Sequence, residues 1–420
     1  VMKKPANFTT INPDPNRIYM KGFSQGGTGA NTVGLRHGEL FASVNADKGI
    51  CNWSREKVGK VEKWQKTVWR YWGTPENPLK TQKGINIYER MNIPKWLREN
   101  PSAEIPFMQI SHSRFDNSIS FEGYPDYYRA LQEARQPFTA SWVQSGHLPT
   151  GDTGSNMLAR KILKNESVPA FSWATCNTPI EKEPVMTGDP VILAGQVEIV
   201  DGKTLKLISF KKLHKKTVYK TFPKELKGKW LLMDYAPYSP GGPNFQIESV
   251  TDTTLTVIPD PHCGDLNSAA FARNIKNNKH KFFISDVRLM GRINSALEWS
   301  SSLQNFDKKS KADDIVDTAK RYEISLRLFK AKNKRLKYIE FKPNEPDATC
   351  TADVTPRRLQ QFKAKSGQKV AWQNVSLADP AKPKVIASGT ITVDKYGLVT
   401  VKKFLIGKKG LGNRLVLEVK

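Results

Sequence analysis

The stretch that decides the fold runs from Arg17 to Gly27 and reads RIYMKGFSQGG. Its first five residues, RIYMK, have the apolar and aromatic content of a β-strand. A helix-like stretch follows from Thr28 to His37. The tight turn between them has the pattern G-x-S-x-G, with Ser24 at its centre. A strand, a sharp turn and a helix in this order predict one unit of an α/β sheet with a serine at the turn.

The spacing of this turn has a physical cause. A serine held in a strained backbone conformation needs small residues nearby, here Gly22 and Gly26, so that strand and helix can approach each other. The hydroxyl of Ser24 then stands at the start of the helix. There the helix dipole and the backbone N–H of Gln25 could stabilise an oxyanion. An ordinary glycine-rich turn is the alternative interpretation.

A serine nucleophile needs a base, and the base needs a group that orients it. Downstream of Ser24, a buried strand is predicted at residues 105–110 and leads to Asp116. An amphipathic helix is predicted from Tyr124 to Arg135, and a second strand at 138–143 leads to His147. Alone, Asp116 could be a turn residue that caps local backbone and His147 a loop histidine. Together they reproduce the chain order Ser, Asp, His of α/β-hydrolases.

Three parts of the sequence resemble a known family: PDPNRIY before GFSQGG (13–27), HSRFD (112–116) and the pair Gly146-His147. They look like the C-terminal half of a bacterial α/β-hydrolase of the prolyl-oligopeptidase-like and esterase type, over about residues 8 to 165. The resemblance implies Ser24 as nucleophile, Asp116 as orienting acid and His147 as general base. Such folds place several strands before the nucleophile, whereas 23 residues precede Ser24. We therefore expect an N-terminal segment or chain to complete the hydrolase fold.

An insertion rich in tryptophan is predicted at residues 49–100. Insertions at this edge of an α/β-hydrolase sit over the nucleophile, so Trp53, Trp72 and Phe23 are candidate substrate-lining residues. The alternative, which we favour for most of the tryptophans, is that a small subdomain packs its own core around them.

After residue 180 the sequence changes to short strands separated by turn signals. We predict an incomplete α/β-hydrolase domain over residues 1–170, a β-rich module over 180–310 and a C-terminal module over 315–420. The spacing of strands and turns favours all-β modules of the β-sandwich type. The last module resembles C-terminal modules of exported bacterial hydrolases, which implies a secreted, periplasmic or cell-surface protein.

The chain carries 66 Lys and Arg against 40 Asp and Glu, a net charge of +26. Such a charge attracts polyanions, and an acidic surface polymer is a better candidate partner than nucleic acid because no nucleic-acid-binding motif accompanies the lysines. No apolar run is long enough to span a bilayer. Cys51, Cys176, Cys263 and Cys350 are far apart in sequence and predict no metal site; disulfides and buried free thiols both remain open.

These observations predict a serine hydrolase that forms an acyl-enzyme and needs no metal or organic cofactor. We expect an ester, and less so a peptide, as the substrate. The alternative from another class is a non-catalytic binding or structural surface protein that retains a hydrolase scaffold.

Overall fold

A computed structural model describes residues 13–53, 62–114, 116, 118–143, 146–149, 161–180, 191–212, 217–233, 244–259, 266, 278–307, 314–328 and 348–419, with the backbone alone at 62–66, 191 and 244. The helices formed by these residues are all too short or too polar to span a lipid bilayer.

The N-terminal part alternates strands and helices, as the sequence predicts. Its elements are β1 (Tyr19–Phe23), α1 (Gln25–Gly29), which continues as a π-helical turn (Ala30–Gly34), β2 (Ser43–Asp47), α2 (Glu62–Trp72), β3 (Gly73–Thr74), β4 (Asn77–Pro78), α3 (Ile87–Arg90), α4 (Ile93–Glu99), β5 (Phe107–Ser113), α5 (Tyr124–Glu133), β6 (Phe138–Val143) and β7 (Val168–Ser172).

Four parallel strands in the order β1, β2, β5, β6 form the sheet that positions the candidate site. Their register pairs Phe23 with Asp47, Asp47 with Ser111, and Ser113 with Val143. The carboxyl ends of the strands therefore meet at one edge, which is where α/β sheets hold their functional residues. Buried apolar residues of β2, β5, α4 and α5 form the core of this part.

A fifth strand of this sheet comes from far along the chain. β15 (Gly291–Ile293) pairs antiparallel with β6. Gly291 lies where a Cβ atom would come within 2.1 Å of the Trp142 ring, so only glycine fits beneath that indole. The sequence predicted no strand of the sheet in this region.

The described strands between β7 and β15 form an antiparallel sheet that closes on itself, which we call the closed ring. Its strands are β8 (Val191–Ile199), β9 (Thr204–Lys212), β10 (Val218–Tyr219), β11 (Trp230–Met233), β12 (Asn244–Val250), β13 (Thr254–Ile258) and β14 (His280–Ser285). The ring closes because β8 pairs with both β9 and β14, around a core that includes Phe210, Phe245 and Phe282. The prediction of a β-sandwich is wrong for this segment. The alternation of apolar and polar residues and the spacing of turns are the same in sandwiches and barrels, and only the long-range pairing of β14 with β8 distinguishes the two folds.

The C-terminal part contains two sheets that share one hydrophobic cluster. Its further strands are β16 (Leu297–Trp299), β17 (Val316–Asp317), β18 (Arg321–Leu328), β19 (Thr349–Arg357), β20 (Lys369–Ser376), β21 (Lys384–Thr392), β22 (Val401–Gly407) and β23 (Asn413–Val419). One sheet has the order β16, β18, β23, β20, β21, with β17 on β18; the other has the order β22, β19, β7. β7, the last strand of the N-terminal part, thus pairs with a C-terminal strand. The domain boundaries given by the sequence stay a prediction.

Two buried arginines join the C-terminal part to the α/β sheet. Arg357 donates hydrogen bonds to the backbone carbonyls of Pro101, Ala103 and Arg135. Arg358 donates to the carbonyls of residues 38, 41 and 42, which lead into β2. Because these carbonyls precede strands of the sheet, the arginines hold the edge opposite to the candidate site.

Candidate active site

The turn between β1 and α1 holds Ser24 in a strained conformation, with φ 58° and ψ −121°. A residue with a side chain avoids this region unless its surroundings enforce it. Here the N–H of Ser24 donates to the carbonyl of Asp47 at 3.0 Å, which ties the turn to the end of β2. A Cβ atom on Gly22 would lie 1.9 Å from the Gly26 carbonyl oxygen, so the turn requires glycine at this position.

The spacing of the motif predicted that Gly26 allows the second close approach between the helix and a strand. That prediction is wrong. A Cβ atom on Gly26 would meet no described atom within 4 Å. A Cβ atom on Gly27 would lie 2.3 Å from the Asp47 carbonyl oxygen, and one on Gly49 would lie 2.2 Å from the Gly27 carbonyl carbon. The helix therefore approaches the end of β2 one residue later than the sequence motif suggests.

The structure brings the three residues of the predicted triad together. His147 Nε2 lies 2.8 Å from Ser24 Oγ, and His147 Nδ1 lies 2.7 Å from Asp116 Oδ2. The serine and histidine are 123 residues apart in sequence, so the contact arises from the fold alone. Both distances are those of short hydrogen bonds between a ring nitrogen and an oxygen.

The side chain of Asp116 is fully buried and uses its two oxygens differently. Oδ1 accepts hydrogen bonds from the backbone N–H groups of Ser118 and Ile119, both at 2.9 Å, while Oδ2 faces His147. The two interpretations of this residue, a turn cap and an orienting acid, therefore apply to the same carboxylate. The cap fixes the orientation in which the second oxygen meets the imidazole.

Two further candidates lie beside the triad. The ring of Phe23 packs against that of His147, with 5.0 Å between the centroids, and so limits the positions of the imidazole. Gln25 is the first residue of α1 and is exposed, so its backbone N–H is at the positive end of the helix dipole next to Ser24.

Trp53 and Trp72 form an aromatic group with Tyr88. The centroids of the two indoles are 5.3 Å apart, and the Trp72 and Tyr88 rings are 5.8 Å apart, both pairs edge to face. The Tyr88 hydroxyl donates to the Gly73 carbonyl. This packing fits the interpretation that the inserted segment has its own small core. Whether the half-buried tryptophans also touch substrate stays a prediction.

Sequence reasoning missed a group of buried polar residues beneath the triad. Lys48 is fully buried, and its Nζ lies 3.3 Å from Asp47 Oδ1. The Ser111 hydroxyl donates to the same carboxylate oxygen at 2.8 Å. His112 is also fully buried, and this burial lowers its pKa to about 4. The available signal was the pair Asp47-Lys48 directly after an apolar strand, at the edge of the sheet where Ser24 was already expected.

Burial is also the main cause that lowers the pKa of Lys48, and the charge of Asp47 opposes it. Within the described residues no group of three His, Cys, Asp or Glu side chains is arranged to hold a metal ion. Cys51, Cys176 and Cys350 are free thiols in the structure, and Cys263 lies outside the described residues.

Comparison with known proteins gives one family match. The model of the prolyl oligopeptidase family matches residues 9–163, the part that contains Ser24, Asp116 and His147. The match supports an α/β-hydrolase of the prolyl-oligopeptidase type in this part of the chain. This family is one of peptidases, so the match does not support the preference for an ester substrate. No curated protein matches the chain.

Solved structures similar to the chain include an acylaminoacyl peptidase from Pyrococcus horikoshii, with 17% identity over 36% of this chain and 23% of that chain and a TM-score of 0.27. A putative dipeptidyl aminopeptidase IV from Bacteroides ovatus matches with 19% identity over 35% of this chain and 18% of that chain, with a TM-score of 0.26. The chain thus spans about a fifth of the length of these proteins.

Proposed function

We propose that the chain is a serine hydrolase that works through a Ser24-His147-Asp116 triad and an acyl-enzyme. The observation that carries the proposal is the continuous path of hydrogen bonds from Ser24 Oγ through both ring nitrogens of His147 to Asp116 Oδ2, with distances of 2.8 and 2.7 Å. A protein that only needed the fold as a scaffold would have no reason to keep all three groups in contact.

In the first half of the reaction, Ser24 Oγ attacks the carbonyl carbon of the substrate while His147 Nε2 removes the hydroxyl proton. For this, His147 must carry its own proton on Nδ1, and the N–H there donates to Asp116. The carboxylate of Asp116 fixes this tautomer and stabilises the imidazolium that forms. His147 then gives the proton to the leaving group, and Ser24 remains acylated.

In the second half, water takes the place of the leaving group. His147 removes a proton from the water, whose oxygen attacks the acyl carbon, and Ser24 Oγ leaves with that proton. In both halves the negative charge collects on the carbonyl oxygen. The N–H of Gln25, at the start of α1, is our candidate for one of the donors to that oxygen.

The substrate class we propose is an acyl compound of peptide or ester type. The family of residues 9–163 is named for the cleavage of oligopeptides, which favours a peptide. Rates with Pro-containing peptide amides and with p-nitrophenyl acyl esters, compared in one preparation, would decide between them. Faster turnover of the esters, relative to the uncatalysed reaction of each compound, would restore the ester interpretation.

We also propose that a further segment or chain extends the sheet at β1. Among the described residues, β1 has one strand neighbour, β2, and such an edge favours pairing with another strand. That partner would also supply a second oxyanion donor. Intact mass and N-terminal sequencing of the protein from its natural source would test this: a 47.4 kDa species starting at Val1 with no companion chain would contradict it.

The surroundings that we propose for this enzyme are the periplasm, cell surface or exterior of a bacterial cell, with an anionic polymer as a contact. The support is the net charge and the exposed lysines of the closed ring, such as Lys206, Lys211 and Lys224. Retention on an immobilised acidic polysaccharide that falls as salt rises would agree with this, and cell fractionation would test the compartment.

A fluorophosphonate probe tests the proposed activity and separates it from the non-catalytic alternative. The probe should label the wild-type protein and not Ser24→Ala, while Ser366→Ala, which changes an exposed serine, should be labelled normally. Equal labelling of wild type and Ser24→Ala would refute the assignment, and no labelling of the native protein would favour the non-catalytic alternative.

A further inference from the structure

Cys176 and Cys350 are two thiols that the fold brings together from distant parts of the chain. Cys176 lies in the turn that follows β7, and Cys350 is the second residue of β19. A hydrogen bond joins the two thiol groups, so their sulfur atoms face each other. The function proposed above makes no use of this contact. Two facing thiols are the starting point of a disulfide.

The backbone on both sides of this pair is fixed by hydrogen bonds. The N–H of Thr175 donates to the Thr351 carbonyl at 2.8 Å, and the N–H of Thr351 donates to the Thr175 hydroxyl at 3.0 Å. These two residues are the direct sequence neighbours of Cys176 and Cys350. A disulfide tolerates only a narrow range of separations between its two backbones. Here the backbones already lie side by side before any bond forms.

The two thiols differ in their access to solvent. Cys350 is buried in the hydrophobic cluster of the C-terminal part, whereas Cys176 packs against the same cluster and is half-buried. A reagent in solution can therefore reach Cys176 first. The hydrogen bond to Cys176, together with burial, raises the pKa of the Cys350 thiol, which keeps Cys350 protonated while Cys176 reacts. Cys51 belongs to the separate core of the α/β part.

We propose that Cys176 and Cys350 are a redox site: an oxidant of the disulfide class converts them into a disulfide that fastens the end of β7 to β19 by a covalent bond. Such an oxidant is a small-molecule disulfide or the active-site disulfide of a thiol oxidoreductase. Oxidants of this kind act in the periplasm and outside the cell, which are the surroundings proposed above. The inference does not depend on Ser24, Asp116 or His147.

The oxidation takes place in two exchange steps. The thiolate of Cys176 attacks one sulfur of the oxidant, the S–S bond of the oxidant breaks, and one oxidant thiolate leaves. In the mixed disulfide Cys176 no longer has a thiol, so the contact that raises the pKa of Cys350 is removed. Cys350 then loses its proton to solvent and attacks the sulfur of Cys176, and the second oxidant thiolate leaves. The protein loses two electrons and two protons, and the oxidant is reduced to two thiols.

The disulfide links two parts of the fold that are distant in sequence. At the end of β7, the Ser172 hydroxyl donates to the Gln132 carbonyl of α5 at 2.9 Å, and the Trp173 N–H donates to the Gln132 side-chain oxygen at 2.8 Å. A bond from Cys176 to Cys350 thus ties the end of α5, through this segment, to the C-terminal part. Cross-linking distant residues restricts the unfolded chain and favours the folded one. The oxidised protein should therefore unfold at a higher urea concentration than the reduced protein.

The test treats the reduced, folded full chain with oxidised glutathione in a mildly alkaline buffer. Alkylation in denaturant, followed by mass spectrometry, should then find two fewer thiols than in the untreated protein. A digest without reductant should contain the peptides of Cys176 and Cys350 joined to each other, and dithiothreitol should separate them. Cys176→Ala, which changes the half-buried partner, should form no such link. Cys51→Ala is the matched control and should form the link as the wild type does.

Several results would overturn the proposal. A glutathione adduct that stays on Cys176 would show that Cys350 cannot complete the exchange, and an unchanged number of thiols would show that the pair does not react. A link from Cys176 to Cys51 or Cys263 would assign the disulfide elsewhere. Equal urea midpoints for the oxidised and reduced wild type would refute the fastening of β7 to β19. If Cys176→Ala does not fold, the linked peptides of the wild type still decide.

Discussion

Replacing Asp116 by Asn is the change whose consequence follows most directly from the geometry. The carboxylate accepts two backbone N–H groups on Oδ1 and faces His147 with Oδ2. The Asn amide must place its oxygen on one side and its NH₂ on the other. If the NH₂ faced the two backbone donors, both N–H groups would lose their acceptor, at a cost of about 1–3 kcal/mol each.

The amide oxygen should therefore stay with Ser118 and Ile119, and the NH₂ should point at His147. A donor opposite Nδ1 forces the imidazole into the tautomer with its proton on Nε2, which can no longer accept the proton of Ser24. The fold remains intact, because both capping hydrogen bonds are kept. We expect the labelling rate constant to fall by about 10³–10⁴, which corresponds to about 4–5.5 kcal/mol of transition-state stabilisation.

The assay compares Asp116→Asn with wild type for fluorophosphonate labelling, with circular dichroism as the measure of folding. Asp116→Ala is the matched variant, because it loses the cap as well as the acid. It should be destabilised by about 2 kcal/mol or more, since the backbone N–H groups of Ser118 and Ile119 are left without an acceptor. An Asp116→Asn protein that labels within threefold of wild type would refute the role of Asp116.

Four further outcomes are expected. Gly26→Ala should fold and be labelled by the probe, whereas Gly27→Ala should unfold at a lower urea concentration, because its Cβ atom would lie 2.3 Å from a carbonyl oxygen of β2; equal stability of the two would contradict the packing. Arg357→Met should lower the free energy of unfolding by about 3 kcal/mol, since several buried carbonyls lose their donor. A loss below 1 kcal/mol in urea titrations, about what one net hydrogen bond contributes, would argue against the role of Arg357 in joining the C-terminal part to the sheet. Burial lowers the pKa of His112 to about 4 in the folded protein. As the pH falls from about 6.5 towards 4, the His112 imidazole is therefore protonated in the unfolded chain before it is protonated in the folded one, and about 3 kcal/mol of stability is lost. In His112→Gln the free energy of unfolding in urea should differ correspondingly less between pH 7 and pH 4.5. The Cys350 thiol has a raised pKa because of its hydrogen bond to Cys176 and its burial. Iodoacetamide should therefore alkylate Cys350 much more slowly than an unfolded thiol at pH 8. Equal alkylation rates, measured by mass spectrometry, would be inconsistent with this contact.

Local patterns made the α/β part predictable from the sequence. The bounds of β6 agree with the predicted strand at 138–143, and α5 lies within the predicted helix. Both follow from hydrophobic periodicity, which reports on a few neighbouring residues. The contact of Ser24 with His147 was predictable because parallel strands align their carboxyl ends, so that residues after each strand meet without any detailed knowledge of the loops.

Contacts between distant segments were not predictable in the same way. β15 adds to the first sheet from about 150 residues beyond β6, and β7 pairs with β19 in the C-terminal part. No local pattern marks which strands will be neighbours. The closed ring shows the same limit, since its strands and turns were expected but their closure depends on β8 meeting β14.

The burial of charged residues was the second feature that could not be predicted from the sequence. The sequence shows Asp47-Lys48 as an ordinary charged pair, and charged residues are usually exposed. Only the fold shows that Lys48 is buried beside Asp47, at the end of the strand that accepts the Ser24 N–H. Similarly, the motif predicted that Gly26 packs closely, whereas the structure shows that Gly27 makes the close contact with the end of β2.

The central claim is that Ser24 is made nucleophilic by its contact with His147. The most direct measurement is tandem mass spectrometry of the fluorophosphonate-treated protein, performed in parallel on wild type and His147→Ala. We predict a single adduct, on Ser24 in wild type, and its loss in His147→Ala with the fold retained. An adduct on another residue, or undiminished labelling of Ser24 without the imidazole, would contradict the account.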